Sequence, residues 1–145
     1  MTLETLGPAW EPLRPGLLER DQDGGVTLLG SRCQACGTAY YPPHAICVRC
    51  LDAVHLASLR LSRRGTVYAY SVVYQSTPEF PTPYVLAYVD LPEGVRVLAQ
   101  LADVAPSTVH TGMAVEVVGT VVQPGANGAP DVIGYRFRPV AEVAP

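Results

Sequence analysis

The sequence predicts a mainly β protein. A short N-terminal helix leads into a four-cysteine ribbon, and a five-stranded barrel follows. Three observations carry this reading. Cys33/Cys36 and Cys47/Cys50 form two Cys-x-x-Cys pairs with ten residues between them. From Gly65 onward the apolar residues recur with a period of two, the spacing of a half-buried strand. Clusters of Pro and Gly then divide that region into short runs.

Residues 1–30 read as a lead-in. Pro8, Pro12 and Pro15 interrupt its first half. Pro15 suits the first position of a helix, and Gly16 to Arg20 would supply about two turns before Asp23-Gly24-Gly25 stops it. Val26 to Leu29 is a short strand candidate. Residues 31–58 form the cysteine module, with Pro42-Pro43 imposing an extended connection between its halves. Residues 59–145 form the third part. Strands are expected at 66–75, 84–91, 95–102, 113–122 and 132–138. They are separated by turns at Pro78–Pro83, Pro92-Glu93-Gly94, Pro106–Gly112 and Pro124–Pro130. Five short strands with little helix suggest a Greek-key barrel of the OB type, with a five-stranded sandwich as the competing architecture.

Alternation assigns faces. Val85, Ala87, Val89 and Leu91 are small or branched and suit a barrel interior, which turns Tyr84, Leu86 and Tyr88 outward. By the same size argument Tyr68, Tyr70, Val72 and Tyr74 form an outward row, opposite Val67, Ala69, Ser71 and Val73. Tyrosine has a large apolar body and a polar tip, so such a row suits an interface. The rings can equally fold over the ribbon or the lead-in of the same chain.

Composition narrows the function. Of the 145 residues, 48% are hydrophobic and only 16% charged, so a partner is expected to cover some apolar surface. No apolar stretch approaches the roughly 20 residues of a membrane span. Met1 to Gly7 lacks the basic residues of a signal peptide, so a cytoplasmic location is the expectation, with no membrane partner. Net charge is −3 and all ten basic residues are Arg. A single-stranded nucleic-acid binder, which would stack bases on exposed barrel aromatics, is the rival class. The acidic balance and the absence of Lys argue against it.

The two cysteine pairs offer four thiolates to one metal. Four sulfurs close a tetrahedral shell and leave no position for water or substrate, so the site is structural rather than catalytic. Gly37 follows Cys36 where a knuckle turn needs a positive φ. Disulfides do not fit a chain without a secretory signal, and a redox pair needs no second matching pair. Iron is chemically possible in such a site, but one Zn2+ is the assignment. His44 and His55 flank the module and are read as packing or surface residues.

Other candidates are weaker. His110 beside Ser107 and Thr108 has neither a nucleophile elbow nor an oxyanion loop, so no catalytic residues are assigned. Arg60, Arg63 and Arg64 cluster where ribbon meets barrel, and arginine suits bidentate phosphate contacts. The same cluster is also read as a solvated surface or as ion pairs. The stiff loop Gln75 to Thr82 presents Phe80, as an interface or acyl-chain contact or as a cap on the barrel mouth.

The order of these parts resembles the DUF35 family, which joins a rubredoxin-like zinc ribbon to an acyl-CoA-associated OB fold. The resemblance rests on Cys33-Gln34-Ala35-Cys36-Gly37, Tyr41-Pro42-Pro43 and Cys47-x-x-Cys50. It continues through Arg64 to Ser71, Tyr84 to Leu91 with Glu93 to Arg96, Gly112 to Val117, and Phe137-Arg138-Pro139. It spans roughly residues 14 to 140. His44 stands where the family often has Arg, and Val48 where a proline often follows the third cysteine. The resemblance implies a non-catalytic subunit of a hetero-oligomer. Its partner would be a thiolase, an acyl-CoA synthase of the thiolase fold or a retro-aldolase, whose acyl-CoA it helps to bind or channel. On that view Arg60, Arg63 and Arg64 are candidates for the CoA phosphates. Tyr68, Tyr70, Tyr74, Phe80, Tyr84 and Tyr88 are candidates for the partner or the acyl chain.

Overall fold

The computed structural model describes residues 10–21 and 25–140. Pro8, Asp23 and Gly24 of the lead-in lie outside the described residues. Among the described residues, ten strands and one 3-10 turn make up the regular structure: β1 (Trp10–Pro12), β2 (Leu18–Arg20), β3 (Val26–Cys33), β4 (Ala39–Tyr40), β5 (Leu56–Arg60), β6 (Arg64–Val73), β7 (Tyr84–Asp90), β8 (Arg96–Leu101), the turn Pro106–Thr108, β9 (Ala114–Gln123) and β10 (Asp131–Pro139).

The predicted N-terminal helix is replaced by β2. Gly16 takes φ +82°, which ends any helical run beginning at Pro15. Five residues are also too few to stabilise a helix by themselves. Leu18 gains more by pairing opposite Leu28, where both side chains are buried.

β3 organises the first sheet. It pairs antiparallel with β2, β4 and β5. The second sheet runs β10-β8-β7-β6-β9, and β10 pairs again with β9, so the five strands close into a barrel. Closure removes the sandwich alternative and gives the apolar faces one interior. β1 adds to this sheet as a parallel partner of β10. Val67, Val85, Ala87, Val89, Val97, Val115, Ile133 and Phe137 fill the interior. Leu18, Val26, Leu28 and Leu61 join the same cluster, so the first sheet rests directly on the barrel core. At the junction Ser62 donates from its backbone N–H and its hydroxyl to the Glu93 carboxylate, at 3.0 and 2.6 Å.

β7 keeps the predicted faces, but β6 does not keep them along its length. Val67 opposes Val89, and then Ala69 opposes Tyr88, so Tyr68 is an extra residue in a bulge. One inserted residue exchanges the faces of everything beyond it. Tyr68 points outward as expected. Tyr70 and Val72 instead oppose Ala87 and Val85, on the inward-facing register, and Ser71 and Val73 move to the outer face.

Candidate metal centre and barrel surface

The two cysteine pairs meet through matched turns. The Gly37 N–H donates to the Cys33 carbonyl at 2.6 Å, and the Leu51 N–H donates to the Cys47 carbonyl at 2.7 Å. The residue after each pair takes a positive φ, +83° at Gly37 and +65° at Leu51. The first was legible from the glycine. The second was missed, because leucine rarely adopts this conformation; its place one residue after Cys50, equivalent to Gly37, was the available signal.

The four Sγ atoms lie within 4.8 Å of one another. Cys33 and Cys50 are 3.6 Å apart, and Cys36 and Cys47 are 3.5 Å apart. Tetrahedral zinc with Zn–S near 2.3 Å sets its sulfurs roughly 3.8 Å apart, so this cluster has the size of a zinc shell. Cys33 and Cys47 are fully buried, and Cys36 and Cys50 face solvent.

Surrounding groups tune and orient the thiolates. The Tyr40 hydroxyl lies 3.1 Å from Cys47 Sγ and holds that thiol well below its ordinary value, at about 6. The Thr38 hydroxyl, 3.2 Å from Cys36 Sγ, lowers that thiol as well. Both favour the charged form that metal binding requires. Tyr40 in turn stacks on His44 with ring centroids 4.1 Å apart. His55 Nδ1 lies 2.8 Å from the Asp52 carboxylate, which also accepts from the His55 and Val54 backbone N–H groups. The two histidines therefore hold turns and rings in place and lie outside the cysteine cluster.

The arginine cluster is largely occupied by acids of the same chain. Arg60 pairs with Glu19 at 3.0 Å and with Asp21 at 2.8 Å, and Arg63 pairs with the other Asp21 oxygen at 3.2 Å. Arg64 is the looser member, 3.9 Å from Glu116 and mostly exposed.

The predicted interface aromatics divide between two surfaces. Tyr68 lies outside, with the Arg96 guanidinium 3.4 Å from its ring centroid and Asp90 fixing that guanidinium at 2.7 Å. Tyr84, Leu86 and Tyr88 of β7 and Leu98 of β8 continue the outer face, and Phe80 packs on Tyr84 at 6.4 Å. Tyr70 lies instead in the far half of β6, and Tyr74 follows the strand's last residue, Val73. The outer face forms the floor of a groove of about 1220 Å³. Leu13 and Leu17 of the lead-in and Tyr41-Pro42 of the ribbon form its other wall. Sequence reasoning missed that wall, because it depends on three separate segments folding together. Burial beside Tyr135 pushes the Tyr41 hydroxyl above its ordinary range, so Tyr41 itself brings no charge to the groove.

Residues 27–55 match the family described as ChsH2, rubredoxin-like zinc ribbon domain, and residues 59–120 match ChsH2, C-terminal OB-fold domain. A DUF35 domain-containing scaffold protein of Methanocaldococcus jannaschii is 37% identical over 115 residues, which cover 78% of this chain and 82% of that protein. The benzoylsuccinyl-CoA thiolase subunit BbsA of Geobacter metallireducens is 36% identical over 128 residues, covering 88% and 85%. Among solved structures, a chain of the Ltp2-ChsH2(DUF35) aldolase superposes with a TM-score of 0.67 at 32% identity, covering 78% of this chain and 84% of that one. The four-cysteine ribbon is a structural zinc site, and the chain belongs to the DUF35 family.

Proposed function

We propose that this chain is a non-catalytic subunit that docks on a thiolase-fold enzyme and helps to enclose that enzyme's acyl-CoA. The observation that carries this reading is the apolar outer face of β7 and β8. Tyr88 and Leu98 are 45% and 46% exposed there and line the groove. An aromatic patch of this kind is what an interface core is built from. The outer face of the second and third barrel strands is also where OB folds take their ligands. The naming of relatives as thiolase and aldolase subunits supports the choice of partner class. Arg64 is the member of the arginine cluster best suited to reach a CoA phosphate, since Glu19 and Asp21 already pair with Arg60 and Arg63.

The test is copurification with the thiolase-fold enzyme of the same organism. Tyr88→Ala with Leu98→Asp is expected to abolish the complex while the chain keeps one zinc. Retention of the complex would refute docking through this face. Within an intact complex, Arg64→Ala is expected to weaken acyl-CoA binding; unchanged affinity would remove the phosphate contact from the proposal.

A further inference from the structure

The far half of β6 has one strand neighbour rather than two. β9 pairs with β6 only over Arg64–Thr66, and the last backbone bonds on that edge join Val67 to Met113 and Gly112. From Ala69 to Val73 the strand pairs with β7 alone, and no strand among the described residues covers its other edge. Such an edge offers a row of backbone donors and acceptors to another strand. Natural edges of this kind are usually blunted by charge or proline. From Gly65 to Thr77 there is neither.

We propose that this edge pairs with the same edge of a second copy, antiparallel, about a two-fold axis through Ser71. The stretch Ala69-Tyr70-Ser71-Val72-Val73 is self-complementary in that register. Ala69 would oppose Val73 of the other copy, Tyr70 would oppose Val72, and Ser71 would oppose itself. Aromatic against β-branched is among the favourable cross-strand pairs. The faces also agree. Tyr70 and Val72 share the inward-facing register, and Ala69, Ser71 and Val73 share the outer one. A two-fold axis normal to the sheet keeps each set on its own side. Charge runs the same way. The neutral stretch has Arg63-Arg64 at one end and Glu79 at the other, so antiparallel pairing turns the basic end of each copy toward the acidic end of its mate. Tyr68 and Tyr74, 51% and 70% exposed, flank the paired segment on either side.

Ser71 is exposed, so a charge is tolerated there in the single chain. On the axis, two like charges would stand directly opposite one another. The experiment is sedimentation equilibrium of the full zinc-loaded chain and of Ser71→Glu and Ser71→Lys, with zinc content and melting temperature as controls on folding. The wild-type chain is expected to sediment at twice its 15.5 kDa mass. Each variant is expected to fall to the single mass, and an equimolar mixture of the two to recover the doubled mass. A wild-type chain that stays single overturns the inference, as does a dimer that survives Ser71→Glu. Loss of the thiolase-fold partner from Ser71→Glu, with the wild-type chain single in isolation, would assign the edge to that partner instead. Docking through Tyr88 and Leu98 is read out separately and stands or falls alone.

Discussion

The ribbon leaves Ile46, Val48, Leu51 and Val54 between 53% and 83% exposed and fully buries only Cys33 and Cys47 in its loops. The barrel strands bury nine side chains to 2% exposure or less, with Phe137 the largest. Two regions of one chain are thus held by different forces. In the loops around the cysteines too little apolar surface leaves water to offset chain entropy, and the metal supplies the missing free energy. In the barrel, hydrophobic burial suffices. The apolar residues on the outer barrel face belong to neither core, which is why they are available to a partner.

Removing the metal should separate the two regions most sharply. A structural zinc contributes on the order of 10 kcal/mol to the fold around it. Chelation is expected to release the amides of Gly37, Cys47 and Leu51 to hydrogen exchange while barrel amides stay protected. Simultaneous loss of both sets would mean that Leu18, Val26, Leu28 and Leu61, which join the two sheets, couple them into one cooperative unit. Next in size, Phe137→Ala should cost about 3–5 kcal/mol in urea unfolding, because it empties the centre of the barrel. Zinc content before unfolding should stay at one per chain. A loss well below 2 kcal/mol would show that the barrel does not depend on this core. The smallest effect compares the two knuckles. Leu51→Gly should raise the melting temperature by relieving roughly 1 kcal/mol of backbone strain. Gly37→Ala should lower it by a similar amount, since a methyl group there meets no atom within 4 Å and the cost is conformational alone. Changes of the same sign would break the equivalence of the knuckles.

The barrel strands were legible because alternation is local. Each predicted strand has its counterpart in β6 to β10, with ends displaced by only a few residues. The cysteine site was legible because its spacing encodes its chemistry. The short helix was not, because Leu18 is drawn into a strand by Leu28, ten residues away. The partners of the arginine cluster were also hidden, since Asp21 reaches Arg60 across 39 residues.

Residue order alone thus determined the ribbon, its four-thiolate metal site and the five barrel strands, all of which rest on patterns a few residues long, while closure of those strands into a barrel was settled by the pairing of β9 with β10. Tertiary structure alone decided which way Tyr70 of β6 faces, because a single bulge at Tyr68 reverses every later position of that strand. It also decided that Glu19 and Asp21 pair with Arg60 and Arg63, and that the lead-in and ribbon wall a groove against β7 and β8. Those outcomes depend on contacts between segments distant in the chain, and such contacts leave no periodic trace in it.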